Sequence, residues 1–153
     1  AGHKGAHAEL PSVAKIRTDE AVAGLDTPAA YAAFSNKVTA VCEGLRGFLA
    51  QAREEGKTVA GYGAAAKGNT LLNVAGIGTG DLAYVVDRNP EKQGTLLPGS
   101  HIPVRAPDAL YQTRPDYVLI LPWNLSAEIA AEHAAIADWG GRFVVAVPEL
   151  TLL

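Results

Sequence analysis

Cysteine and methionine are almost absent from this 153-residue sequence, which contains one cysteine, Cys42, and no methionine. A single cysteine cannot form an internal disulfide, and it argues against a metal site built from thiolates. We read Cys42 as a small buried hydrophobic residue. Because even the first position lacks methionine, we expect a processed chain or a piece of a longer one. The sequence therefore predicts neither a disulfide framework nor a metal site.

Excess charge of one sign and long apolar runs are also scarce. The formal net charge is −3, which gives no electrostatic reason to expect a nucleic-acid partner. No apolar run approaches the roughly 18 residues that a membrane span needs. The N-terminus has no basic segment followed by an apolar one, so no signal peptide is predicted. We therefore expect a cytoplasmic protein without nucleic-acid or membrane partners.

A glycine-rich turn stands between a short apolar run, Thr58 to Ala60, and a helical pattern. Glycine permits tight turns and close approach of a ligand, and the helix that follows directs unpaired N–H groups to the same place. The spacing Gly61-x-Gly63-x-x-Ala66 is typical of the dinucleotide-type fingerprint in its Gly/Ala form. The turn thus indicates an anion site, although any strand-to-helix turn can use glycine.

Lys67 and Asp87 strengthen this interpretation. Lys67 follows the turn and supplies a positive charge suited to a phosphate. Asp87 ends a second apolar run that begins at Leu82, about where a ribose-binding carboxylate is expected. The alternative is that Asp87 only caps a loop.

The chain divides into a linker over residues 1–25 and one domain over residues 26–153. The first segment combines small residues and two histidines without a clear period. Thr27-Pro28 then predicts the start of a long helix that ends near Glu55. Its apolar residues recur every three or four positions and predict a packing face: Tyr31, Phe34, Val38, Val41, Leu45, Phe48 and Ala52.

The domain is predicted to be α/β. Five apolar runs alternate with helical patterns, including a helix from Ser126 to Trp139, which favours a Rossmann-like, doubly wound parallel sheet of about five strands after the long N-terminal helix. The glycine turn and right-handed crossovers favour the strand order 3-2-1-4-5. The runs lie at residues 58–60, 82–87, 102–104, 117–121 and 142–147.

The carboxyl ends of the strands should bring three segments together into one ligand site. These segments are the turn at residues 62–69, the loop at residues 87–93 and residues 122–124. Trp123 is suited to stack on a base or sugar, although it could instead fill the core. No Ser/His/Asp or paired-carboxylate set predicts catalysis here, and we expect His133 to be a packing residue. The predicted substrate-binding residues are Gly61, Tyr62, Gly63, Ala64, Ala66, Lys67, Gly68, Asn69, Asp87, Asn89, Lys92, Gln93, Trp123 and Asn124.

Four ordered motifs resemble the C-terminal domain of the sugar-nucleotide (NDP-hexose) C-methyltransferases. The resemblance extends from about Pro11 to the C-terminus. Its motifs are Gly61-Tyr-Gly-Ala-Ala-Ala-Lys-Gly-Asn-Thr70, Val85-Val-Asp-Arg-Asn-Pro-Glu-Lys-Gln-Gly94, Pro98-Gly-Ser-His-Ile-Pro103 and Leu119-Ile-Leu-Pro-Trp-Asn124.

The resemblance implies a larger enzyme that uses S-adenosylmethionine to methylate keto-deoxysugars for natural-product glycosides. Such an enzyme carries a cysteine-rich zinc domain, a methyltransferase domain and then this domain. The partners implied are those two missing domains and a dTDP-linked sugar held in the cleft between domains. The catalytic base is expected in the missing methyltransferase domain.

The residues agree that this segment does not bind the methyl donor, so we expect the isolated fragment to be inactive. Thr58, Val59 and Ala60 precede the turn where a donor site usually has an acidic residue, and Ala65 stands where a third glycine belongs. Two other functions stay open. One is a small NAD(P)-dependent oxidoreductase domain, and the other is a non-catalytic structural module.

Overall fold

A computed structural model describes residues 2–3 and 5–153; Ala1 and Lys4, which fall in the predicted linker, lie outside the described residues. The chain forms two compact units, residues 1–39 and 40–153. The first contains helix α1 (Pro11–Val22), which has proline in its first turn and no buried residue. The sequence pattern did not indicate this helix, and the linker role of residues 1–25 stays a prediction.

Helix α2 (Pro28–Glu54) begins as predicted, with the Thr27 hydroxyl accepting a hydrogen bond from the amide of Ala30 at 3.4 Å. The predicted packing face holds only toward its C-terminal end. There Leu45 is fully buried, and the Phe48 ring meets Tyr117 at 5.0 Å between centroids. Tyr31, by contrast, is 68% exposed, and most of the Phe34 side chain is exposed as well.

The second unit is built on a six-stranded sheet of order β3-β2-β1-β4-β5-β6. The first five strands are parallel, which confirms the Rossmann-like prediction and its order. The sixth pairs antiparallel with β5, and the sequence missed it because two exposed residues carry no strand pattern. The strands are β1 (Val59–Tyr62), β2 (Val85–Val86), β3 (Val104–Arg105), β4 (Tyr117–Ile120), β5 (Arg142–Val145) and β6 (Thr151–Leu152).

Three further helices connect the strands: α3 (Ala66–Ala75), α4 (Asp108–Thr113) and α5 (Ser126–Glu132). Short 3-10 helices occupy Trp123–Leu125 and Ala134–Trp139. The single helix expected from Ser126 to Trp139 is therefore divided. The division falls at His133, which has φ −110° and ψ 30° and whose ring is hydrogen-bonded between two tyrosines.

The core lies on both faces of the central strands, as a continuous apolar run in a parallel sheet predicts. Val118, Leu119 and Ile120 of β4 are at most 1% exposed, and Cys42 is buried as expected. Within the described part of the chain, no helix combines the length and apolarity needed to cross a membrane.

Candidate ligand-binding site at the carboxyl edge of the sheet

Gly61 near the end of β1 and Gly63 in the turn after it are both required by the protein's own packing. A Cβ atom at Gly61 would lie 2.7 Å from Val85 Cγ2, and one at Gly63 would lie 2.6 Å from Pro122 Cδ. Gly63 also has a φ of 90°, a region that side-chain-bearing residues rarely adopt. Strand pairing and the turn therefore both exclude larger residues here.

Close packing of the next helix depends on Gly68. A Cβ atom there would lie 2.5 Å from Leu121 Cβ, just past the end of β4. In the dinucleotide fingerprint, helix–strand packing is the task of the third glycine. The spacing predicted Ala66 at that position, but Ala66 is exposed and Gly68 is buried. Gly68 therefore has the packing role.

Helix α3 starts at the carboxyl edge, which we define as the ends of β1, β2 and β4. Its N-cap residue, Ala65, provides no side-chain hydrogen bond. The helical ladder begins with the amide of Asn69, which donates to the Ala65 carbonyl at 2.9 Å. The N–H groups of the preceding first turn are therefore available to an acceptor, and the helix dipole favours a negative one.

Lys67, Trp123 and Asn124 come together as the sequence predicted. The Lys67 ammonium lies 4.5 Å from the centroid of the Trp123 ring and donates a hydrogen bond to the side-chain oxygen of Asn124. Trp123 is half-buried and also packs against the core. The cation is thus held beside the N-terminus of α3.

Asp87 connects the turn after β1 to the loop after β2. Its Oδ2 accepts hydrogen bonds from the amide of Ala64 at 2.7 Å and from Lys92 Nζ at 3.2 Å. Its Oδ1 accepts one from the amide of Asn89 at 2.8 Å. The side chain is only 13% exposed. Both oxygens therefore have protein donors, which matches the loop-capping alternative.

Lys92 and Gln93 complete this connection. Lys92 Nζ also donates to the Ala64 carbonyl at 2.9 Å, and Gln93 Nε2 donates to the Asp87 carbonyl at 2.9 Å. Their polar groups shape the loop and are already hydrogen-bonded. Asn69 differs, because its buried side-chain oxygen has no hydrogen-bond partner among the residues described.

A small cavity of about 190 Å³ opens at the carboxyl edge. The glycine turn, Asp87 and the segment directly after β4 were predicted to meet at this edge. Arg88, Leu125, Glu128 and Ile129 were not among the predicted site residues, and the signal available was their position just beyond Asp87 and just beyond Asn124. The lining residues are Tyr62, Gly63, Ala65, Asp87, Arg88, Pro122, Leu125, Glu128 and Ile129.

Tyr62, at the end of β1, contacts a buried histidine. Its hydroxyl lies 3.1 Å from His133 Nε2, and the Tyr111 hydroxyl lies 2.7 Å from His133 Nδ1. Burial lowers the pKa of His133. Burial, and secondarily the charge of Glu132, raise the pKa of Tyr62. Both groups are therefore neutral near pH 7, and both ring nitrogens of His133 have hydrogen-bond partners.

A larger cavity, about 400 Å³, lies at the opposite edge, beside the starts of β1, β2 and β4. Its cations already have partners: Arg53 pairs with Asp81 at 3.5 Å, and Arg105 lies over the Tyr84 ring at 4.7 Å. Parallel α/β sheets bind ligands at the carboxyl ends of their strands. We therefore place the candidate site at the carboxyl edge despite its smaller cavity.

In the ranges 2–3 and 5–153, no three His, Cys, Asp or Glu residues are grouped as metal ligands. What the carboxyl edge offers is a cation, free helix amides and a small cavity. These groups can bind an anionic ligand with a compact ring attached.

Comparison with known proteins gives the family. The C-methyltransferase C-terminal domain family matches residues 1–148. C-methyltransferase NovU of Streptomyces niveus is similar, with 36% identity over 143 residues that cover 94% of this chain and 34% of NovU. The chain thus spans about a third of the length of that relative. The chain belongs to the C-methyltransferase C-terminal domain family.

Proposed function

We propose that this chain is the acceptor-side domain of an S-adenosylmethionine-dependent C-methyltransferase that acts on a dTDP-linked keto-deoxysugar in cytoplasmic deoxysugar biosynthesis. The observation that carries the proposal is the uncapped N-terminus of α3 beside Lys67 at the carboxyl edge. This arrangement suits a diphosphate. The predicted substrate-binding residues remain candidates for the contacts.

The diphosphate fits this place for electrostatic reasons. The amides of the first turn and the helix dipole favour negative charge. One anionic group at an exposed helix N-terminus is stabilised by about 0.3–1 kcal/mol. Lys67 adds a full positive charge, and Asn124 keeps the ammonium at the site. Trp123 presents its ring beside the same cation, where a base or sugar could stack on it.

The methyl donor does not fit the glycine turn. At Gly63, the space into which a cofactor would approach is filled by Pro122, whose Cγ lies 2.8 Å from where a Cβ atom would be. Asp87, the carboxylate suited to ribose, has both oxygens bonded within the protein. We therefore assign the donor, and the base that removes the proton beside the keto group, to the methyltransferase domain. The same two observations weigh against the NAD(P) alternative.

In this proposal the chain's own residues bind and orient the acceptor. Lys67 and the α3 amides hold the diphosphate, while the Asp87–Lys92 connection keeps the turn and the following loop in register. Orientation alone accelerates a reaction, because it replaces a bimolecular encounter with a fixed geometry. The isolated chain is then expected to bind nucleotide without transferring methyl groups.

A titration followed by amide NMR tests this function. dTDP should shift the amide signals of residues 62–69 more than NAD or S-adenosylmethionine does at equal concentration. Lys67→Ala should weaken dTDP binding by about fivefold or more and make the remainder less salt-sensitive, because an ion contact is lost. Lys37→Ala, which removes an exposed lysine of α2, is the matched control and should change nothing.

Several outcomes would contradict the proposal. The strongest saturable shifts with NAD would favour the oxidoreductase alternative. No shift with any nucleotide, both for the chain and for a full-length protein that contains it, would favour a structural module. Methyl transfer from labelled S-adenosylmethionine to a keto-deoxysugar nucleotide by the chain alone would refute the assignment of the donor site elsewhere.

A further inference from the structure

Tyr62, His133 and Tyr111 form one hydrogen-bonded chain from the cavity at the carboxyl edge toward solvent. Tyr62 lines that cavity, His133 is 6% exposed, and Tyr111 is 38% exposed. The Tyr62 and His133 rings are 5.0 Å apart between centroids. A polar chain of this kind in a core has a direction, because each hydroxyl and each ring nitrogen must act as donor or acceptor.

The tautomer of His133 sets that direction. A neutral histidine has one N–H donor and one acceptor nitrogen. The Tyr111 hydroxyl lies 2.7 Å from Nδ1 and the Tyr62 hydroxyl lies 3.1 Å from Nε2. In the tautomer protonated at Nε2, Tyr111 donates to Nδ1, and Nε2–H donates to the Tyr62 oxygen. The hydrogen of the Tyr62 hydroxyl is then free to donate elsewhere.

The electrostatics of the cavity point that hydrogen inward. Asp87 and Glu128 both line the cavity, but Asp87 is paired with Lys92 at 3.2 Å, just as Arg88, the cationic lining residue, is paired with Glu132 at 3.2 Å. The remaining lining charge is that of Glu128, and this carboxylate favours a hydroxyl that presents its hydrogen to the cavity. It also repels a phosphate, so the diphosphate belongs with Lys67 and the cavity must take an uncharged group.

The other lining residues of the cavity indicate the shape and polarity of that uncharged group. Pro122, Leu125 and Ile129 are apolar and suit the face of a ring, whereas Glu128 can accept a hydrogen bond from a ring hydroxyl. A volume of about 190 Å³ admits one small ring.

We propose that this cavity is the subsite for the uncharged hydroxylated ring of the ligand, that Tyr62 donates a hydrogen bond to an oxygen of that ring, and that His133 is the positioning residue that directs the Tyr62 hydroxyl. The proposal rests on the proposed function for the ligand. The direction of the hydrogen-bonded chain does not depend on any ligand.

The first test is therefore made without ligand. Nitrogen-15 NMR of the histidine side chains should show His133 as the neutral tautomer protonated at Nε2, with its signals identified by their loss in His133→Gln. Tyr111→Phe removes the donor to Nδ1 and should shift the Nδ1 resonance. Tyr31→Phe, at an exposed tyrosine of α2, should leave it unchanged. Protonation at Nδ1 in the wild-type chain would refute the role given to His133.

The second test compares dTDP with dTDP-glucose, which adds a hydroxylated ring. The wild-type chain should bind dTDP-glucose more tightly. Tyr62→Phe should reduce that advantage by about 2- to 12-fold, the range expected for one neutral hydrogen bond, and leave the dTDP affinity unchanged. His133→Gln keeps a donor toward Tyr62 and should retain part of the advantage, whereas His133→Leu should lose it. If the leucine variant does not fold, Tyr62→Phe decides the matter.

The outcomes separate the two proposals. If dTDP binds but dTDP-glucose gains nothing, or if Tyr62→Phe weakens both ligands equally, the subsite is refuted and the diphosphate site stands. If neither nucleotide binds the chain or a full-length protein that contains it, the proposed function fails and the subsite fails with it. The tautomer result would still stand for His133 itself.

Discussion

The polar groups at the two edges of the parallel sheet differ in their hydrogen bonding. The amino edge is the one opposite the carboxyl edge, beside the starts of β1 and β4. At the amino edge, Asp116 accepts hydrogen bonds from the Thr58 amide at 2.8 Å, the Thr58 hydroxyl at 2.9 Å and Lys57 Nζ at 2.9 Å. Its own amide donates back to the Thr58 hydroxyl at 3.1 Å. At the carboxyl edge, the first turn of α3 has no side-chain cap. The polar groups at the amino edge thus bond to one another, whereas the carboxyl edge offers the first-turn amides of α3 to a ligand.

The difference separates stability from binding within one sheet. The groups at the amino edge satisfy one another and join the starts of β1 and β4. Asp87 does the same for two loops at the carboxyl edge, but its neighbours Lys67 and α3 still offer charge and amides to a ligand. We therefore expect substitutions at the amino edge to change folding alone, and those at the carboxyl edge to change binding as well.

The largest effect is expected at the carboxyl edge, from Gly68→Ala. The added methyl group would lie 2.5 Å from Leu121 Cβ, an atom fixed by the backbone, so helix and strand must separate. Such overpacking costs about 1–3 kcal/mol, and this contact belongs at the upper end. Urea unfolding should show the loss, together with altered amide signals around residues 62–69.

Gly44→Ala is the matched control. Gly44 is also helical, but a Cβ atom there would have nothing within 4 Å. Because alanine favours helix more than glycine, this variant should gain up to about 1 kcal/mol. An equal loss in both variants would mean that the contact with Leu121 is not the cause.

A smaller effect is expected from Asp87→Ala, and it tests whether the carboxyl edge also contributes to stability. The change leaves the amides of Ala64 and Asn89 without their acceptor and Lys92 without its ion partner, which should cost about 2 kcal/mol of unfolding free energy. dTDP binding should weaken as well, because the turn and the loop lose their connection. Asp138→Ala, at an exposed aspartate, should alter neither. Weaker binding at an unchanged melting temperature would instead make Asp87 a direct ligand contact.

The smallest effect is expected at the amino edge, from Asp116→Asn. Hydrogen bonds from Thr58 and then Lys57 lower the pKa of Asp116 from 3.8 to about 2. Because the folded-state pKa is depressed, the stabilisation is fully present above about pH 4 and is lost as the pH falls toward 2. The side chain is 35% exposed, so with solvent screening we expect about 1 kcal/mol.

Chemical unfolding between pH 2 and 7 measures this directly. The wild type should lose stability over the acid range, and Asp116→Asn should show a flatter profile with dTDP binding unchanged at pH 7. If the variant binds dTDP more weakly, the two edges are not independent, and the comparison between them fails.

Sequence reasoning was most reliable for the long, strongly patterned segments. The apolar run at residues 117–121 predicted β4 because a strand covered on both faces needs no alternation. Thr27-Pro28 predicted the start of α2 because a cap and its proline are local signals. Two-residue strands are too short to show a pattern. The predicted bounds of β2 and β3 were therefore wrong, and β6 was not predicted.

The sequence by itself determined the fold class, the strand order and the segments that meet at the carboxyl edge, because periodicity, caps and glycine turns act over a few residues. Only the tertiary structure decided which donors meet which acceptors. It brought Asp87 to the Ala64 amide, directed Tyr62 at His133 and gave the packing role to Gly68. Each of those contacts joins residues more than 20 positions apart, and their geometry depends on how strands and helices pack together.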